Sequence, residues 1–137
     1  MSKLLTADQF ITALLCALAL KGERQVHLAE HKADERFEDA YTELAKRADE
    51  LGVELNFSLR RNPYHGVSET LRDTLYQVRD RGVVAINNPS FRTVDFKLSN
   101  EEAARYLDRS VLKREFVDSM IGRHFGAEGS TIARAHG

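Results

Sequence analysis

The feature that most constrains this chain is a switch of periodicity at Gly82. Upstream, Leu71, Leu75 and Val78 recur at helical spacing behind Ser68, a residue type that caps helix N-termini. Downstream, residues 83–86 read Val-Val-Ala-Ile, residues 87–90 read Asn-Asn-Pro-Ser, and residues 91–98 resume with β-forming side chains. A helix closed by glycine therefore runs straight into a two-stranded hairpin.

The rest of the chain supplies helices around that unit. Thr6 and Gln9 have the spacing of a capping box, and Leu5 with Phe10 can staple it. Phe10, Leu14 and Leu18, flanked by Ile11 and Leu15, then give a broad apolar face that ends at Gly22. Between Glu23 and Leu51 the pattern is again helical, with its clearest stripe at Phe37, Tyr41, Leu44, Ala48 and Leu51, and Asp34 is a candidate cap. Residues 24–32 read either as a short helix of their own or as a short strand leading into a turn. Strict alternation over residues 53–59 predicts a half-buried strand, and residues 60–66 carry turn formers. Ser99 and Glu102 form a second capping box ahead of Ala103, Tyr106 and Leu107. A last helix carries Leu112, Phe116 and Met120 at spacing four, with Val117 and Ile121 beside them.

At 137 residues, 42% apolar and 30% charged, the chain has the size and composition of one ordinary globular domain. The expectation is a mainly α (α+β) domain over residues 1–125, with residues 126–137 as a flexible C-terminal tail. The single cysteine, Cys16, lies in an apolar run and reads as a small core hydrophobe, which fits a reducing cytoplasm. The run from 10 to 20 is too short to span a bilayer and follows a helix cap rather than a basic leader.

Net charge is −1, so no global field draws the chain to nucleic acid. Residues 53–98 are the only stretch that leans basic, with seven Lys/Arg against five Asp/Glu.

Phe57-Ser58-Leu59, Pro63-Tyr64, Ser68-Glu69-Thr70-Leu71, Leu75, Val78, Gly82-Val83-Val84 and Phe96-Lys97-Leu98-Ser99 together resemble bacterial winged-helix proteins of the Panacea-type antitoxin and regulator group. The second half of the pattern is similar to MarR- and PadR-like regulators. The resemblance covers roughly residues 53–107 and departs at the loop, where Asn62-Pro63-Tyr64-His65-Gly66-Val67-Ser68 separates residues that the family runs together. It implies a winged-helix domain with a β-hairpin wing and extra terminal helices, acting in regulation, toxin neutralisation or defence rather than in catalysis.

Three function classes follow. The first is a regulator that binds double-stranded DNA as a homodimer. On the helix before the hairpin, Arg72 could read guanine and Gln77 adenine, while Arg60, Arg61 and the wing's Arg92 could contact phosphates. Against this, Glu69, Asp73 and Asp80 balance Arg72, Arg79 and Arg81 on that helix. Leu112, Phe116, Val117, Met120 and Ile121 form two adjacent apolar rows, which suits a dimer or partner interface. The second class is a protein-interaction module or accessory subunit that neutralises or scaffolds a partner protein. The third is a small metalloprotein built on His27-x-x-Glu30-His31, the inverted zinc-protease signature, in which two histidines one turn apart bind zinc and the glutamate acts as base. The chain is too short for the substrate walls of such proteases, and histidines four apart on a charged helix arise readily by chance, so no metal or other cofactor is expected. His65 reads as a loop residue beside the next helix start. No nucleophile elbow, phosphate-binding glycine loop or paired-cysteine motif is present, and no enzyme is expected.

Overall fold

A computed structural model describes residues 3–27, 32–59, 69–86 and 93–126. It is mostly helical with a small amount of sheet. The elements, in chain order, are β1 (Lys3–Leu5), α1 (Ala7–Leu20), β2 (Gln25–His27), α2 (Lys32–Leu51), β3 (Val53–Leu55), α3 (Glu69–Asp80), β4 (Val84–Ala85), β5 (Thr93–Phe96), α4 (Asn100–Arg109) and α5 (Arg114–Ile121), with a π-helical turn over Gly122–Gly126.

The centre of the molecule is α1. Its start is the expected capping box: Gln9 N–H donates to the Thr6 hydroxyl, and the Gln9 side chain accepts from the Thr6 N–H at 3.1 Å. Every residue from Phe10 to Ala19 is buried, so this helix has no solvent face at mid-length. A helix apolar all round survives only when neighbours cover it on several sides, and here α3, α4 and α5 pack against it. It ends at Gly22 (φ 93°), where Gly22 N–H donates to Ala19 O and Glu23 N–H to Leu18 O. This is the paired bonding of a glycine-closed helix end.

Residues 25–27 resolve the alternative left open by the sequence in favour of a strand, and that strand joins the hairpin. β2 pairs antiparallel with β5 (Gln25↔Asp95, Val26↔Val94, His27↔Thr93), and β4 pairs with the other edge of β5 (Val84↔Phe96, Ala85↔Asp95). The three-stranded order is β2-β5-β4. Arg24 locks its near end: the guanidinium lies 5.3 Å from the Phe96 ring centroid and hydrogen-bonds the Leu98 carbonyl and Asn100 Oδ1. The connecting residues 87–92 lie outside the described residues.

Three expectations need correction. The alternation of residues 53–59 persists as alternating burial, with Val53 and Leu59 buried, but paired strand stops at Leu55. Its partner is β1, in parallel register Lys3↔Val53 to Leu5↔Leu55, a strand the sequence reading passed over because three residues carry too little pattern. Asp34 is no cap: α2 already begins at Lys32, and the Asp34 carboxylate is buried inside its first turn. Leu112 precedes α5, whose N-cap is Lys113, so the expected last helix is shorter at its start. The second capping box, Ser99 with Glu102, forms as read.

Candidate functional site

The element best placed to present a surface is α3. Leu71, Thr74, Leu75 and Val78 turn inward, and the opposite side carries Asp73, Tyr76, Gln77, Arg79 and Asp80 in solvent. Its end is set by Gly82 (φ 80°): Gly82 N–H donates to Arg79 O and Val83 N–H to Val78 O, both at 3.0 Å. Val83 O then accepts from Lys97 N–H at 2.8 Å, so the residue that closes the helix also joins the sheet. The orientation of α3 is thereby tied to β4 and β5.

A second anchor comes from Arg72. Its guanidinium grips Asp34 bidentately, NH1 to Oδ1 and NH2 to Oδ2 at 2.9 Å each, with the Asp34 side chain fully buried and Arg72 only 16% exposed. The fork of donors matches the carboxylate geometry and clamps α3 to α2. Arg72, expected to read bases, is therefore committed to the protein's own interior. The signal was in the sequence: Asp34 lies three residues before Phe37 and so continues the buried stripe of α2.

A third anchor links α3 to α1. Arg81 pairs with Asp8, whose carboxylate also accepts from the Thr6 hydroxyl at 2.5 Å. Burial pushes the Asp8 carboxyl upward, but these two donors outweigh it and hold the group below the usual carboxylate range.

The exposed face that remains has a distinct chemistry. Tyr76 is 41% exposed, and the only other large apolar side chain so exposed among the described residues is Leu4. The Arg79 guanidinium stacks 4.9 Å from the Tyr76 ring centroid and also bonds Asp80 through Nε and NH2 at 3.3 and 3.2 Å. Gln77 stands in solvent beside them, as the sequence reading placed it. Sequence reasoning missed Tyr76, although it falls off the Leu71, Leu75 and Val78 stripe and so had to face outward.

The expected apolar interface is corrected outright. Leu112, Phe116, Val117, Met120 and Ile121 are all buried in the chain's own core, none more than 7% exposed. Both apolar rows of α5 are consumed internally, because one faces α1 and the other is roofed. The Arg47 guanidinium covers Phe116 at 4.9 Å, and Arg123 and His124 fold back to the Glu43 carboxylate of α2. The Arg123 guanidinium beside it, aided by His124 and against some burial, keeps the Glu43 carboxyl below its ordinary value.

Arg60, Arg61, Arg92, His31, Glu30 and His65 lie outside the described residues. His27 is exposed on β2, opposite Thr93. Among the described residues no group of three His, Cys, Asp or Glu side chains could hold a metal ion. Burial pushes the Cys16 thiol up to about 12, so it stays protonated and unreactive in the core. Among the described residues, no helix is long and apolar enough to cross a membrane. Compared with family models, characterised proteins and solved structures, the chain matches none.

Proposed function

We propose that the chain is a winged-helix protein-interaction module that engages a partner protein through the outer face of α3. The winged-helix reading is supported by connectivity: α1, β2, α2, α3 and the β4–β5 hairpin follow in that order, β2 lies beside the second hairpin strand β5, and β3, between α2 and α3, pairs apart from them with β1. Fold alone does not choose a partner.

The observation that carries the protein-partner reading is the Tyr76–Arg79 pair on a face with no excess of positive charge. Tyrosine and arginine are the residue types that dominate protein–protein binding energy, and stacking holds Arg79 in a defined position over the ring. With Arg72 withdrawn to Asp34, Arg79 and Arg81 face Glu69, Asp73 and Asp80, and each arginine is ion-paired within the chain. Phosphate binding depends on cations free to displace counterions, and this face offers few.

The same connectivity favours a second reading, α3 as a DNA-recognition helix, with Gln77 at the base edges. One experiment separates the two. A photo-crosslinking side chain placed at Gln77 in living cells captures whatever meets α3, and the captured species is then bound to purified protein. A protein whose affinity falls about tenfold or more in Tyr76→Ala supports the interaction module. Duplex DNA, bound with an affinity that drops steeply as salt rises, would replace that reading with the second.

A further inference from the structure

Away from α3, the start of α1 and the outer side of α4 enclose a groove of about 450 Å³. That volume suits a metabolite-sized ligand. Leu98, Tyr106 and Val111, all half-buried, supply apolar walls. The burial of Tyr106 raises its pKa, so the phenol stays neutral. Leu98 is fixed by its carbonyl, which accepts from Arg24.

Two arginines, Arg105 and Arg109, stand on the rim one helical turn apart. Like charges at that spacing repel. Arg105 has a loose ion pair with Glu101 at 3.7 Å and a weak electrostatic pull from Glu102, and among the described residues Arg109 makes no ion pair. Position near the C-terminal end of α4 accounts for one cation through the helix dipole, but not for two beside an apolar hollow. Glu102 also lines the groove, yet its carboxylate is engaged by the Ser99 N–H at 2.9 Å, and the lining keeps an excess of one positive charge.

We propose that this groove binds a small organic anion, its apolar body against Leu98, Tyr106 and Val111 and its charged head between Arg105 and Arg109, with the Gln9 amide as a further donor. An anion there replaces arginine–arginine repulsion with two charge-assisted hydrogen bonds. The proposal rests on no property of α3 and stands or falls apart from the partner-protein reading.

The test is a titration of the full chain by two-dimensional amide NMR with hexanoate, hexyl phosphate and the uncharged hexanamide. Saturable shifts centred on Gln9, Leu98, Tyr106 and Val111 are expected with at least one anion, and binding at least about tenfold weaker with hexanamide. Both Arg105→Gln and Arg109→Gln, exposed positions that leave the melting temperature unchanged, should weaken that anion about tenfold. Equal binding of hexanamide, shifts that survive both substitutions, or shifts that never saturate with either anion would overturn the proposal.

Discussion

The helices α1 and α3 are neighbours in the same core, yet they are built on opposite terms. α1 is buried around its whole circumference from Phe10 to Ala19, while α3 buries one stripe and leaves the rest in water. What holds α1 is packing, which is non-directional and roughly proportional to area. What holds α3 is a set of directional ties: the Arg72–Asp34 clamp to α2, the Arg81–Asp8 pair to α1, and the Gly82 turn into the sheet. A helix with half its surface free needs such ties to keep a fixed orientation, and a fixed orientation is what lets a surface recognise a partner.

Substitutions that remove one kind of support and leave the other should break this comparison cleanly. The largest effect is expected at Phe10, fully buried and in ring contact with Phe57 at 5.8 Å. Phe10→Ala should cost about 4 kcal/mol in denaturant unfolding, whereas Tyr76→Ala should stay within about 0.5 kcal/mol. Comparable losses at the two sites would mean that Tyr76 is a packing residue and not a presented one.

Arg72→Ala comes next. It strands a buried carboxylate and should cost about 3 kcal/mol, while the double replacement Asp34→Leu with Arg72→Met should recover most of that. A double variant no more stable than Arg72→Ala would show that the clamp contributes more than charge compensation.

Gly82→Ala should cost about 1 kcal/mol. A Cβ there meets nothing within 4 Å, so the penalty is the strain of φ 80° and not a clash. Asn at the same position should be milder, since it tolerates this conformation better. A neutral Gly82→Ala would mean that the α3 turn relaxes without loss.

The smallest effect is confined to acid. The folded-state pKa of Glu43 is lowered, so its contribution is present above its unfolded value near 4.5 and is lost as pH falls through the lower folded value. Melting temperatures of Glu43→Gln and the parent should therefore separate toward neutrality and converge in acid, once the pH has fallen through the lowered folded-state value. A constant difference at all pH would place the effect outside the ion pair with Arg123.

Much of this architecture could be read locally. The capping boxes at Thr6 and Ser99, the glycine stops at Gly22 and Gly82, and the helical stripes each depend on neighbours within one or two turns of chain, so spacing alone reveals them. The β1–β3 pairing was not legible: three residues at each side carry almost no pattern and meet only because the two segments lie fifty positions apart in sequence and side by side in space. The apolar rows of α5 show the other limit. Periodicity marked Phe116, Val117, Met120 and Ile121 as hydrophobic on two sides but said nothing of what covers the second side, and the answer, α1 within and Arg47 with the returning Arg123 turn without, is a matter of packing.

Arg72 makes the same point for chemistry. Its position on α3 is set by helix period, and that period places it near the surface. Whether its charge faces a partner or the interior depends on whether a carboxylate waits on another helix. Asp34, thirty-eight positions away, supplies it at 2.9 Å. Spacing by itself located the helical stripes, the capping boxes at Thr6 and Ser99 and the glycine stops at Gly22 and Gly82, because those choices are made by short-range sterics and hydrogen bonds. Tertiary structure alone decided which charges are spent holding the fold and which are left for recognition, because ion pairing acts between side chains that only the folded chain brings together.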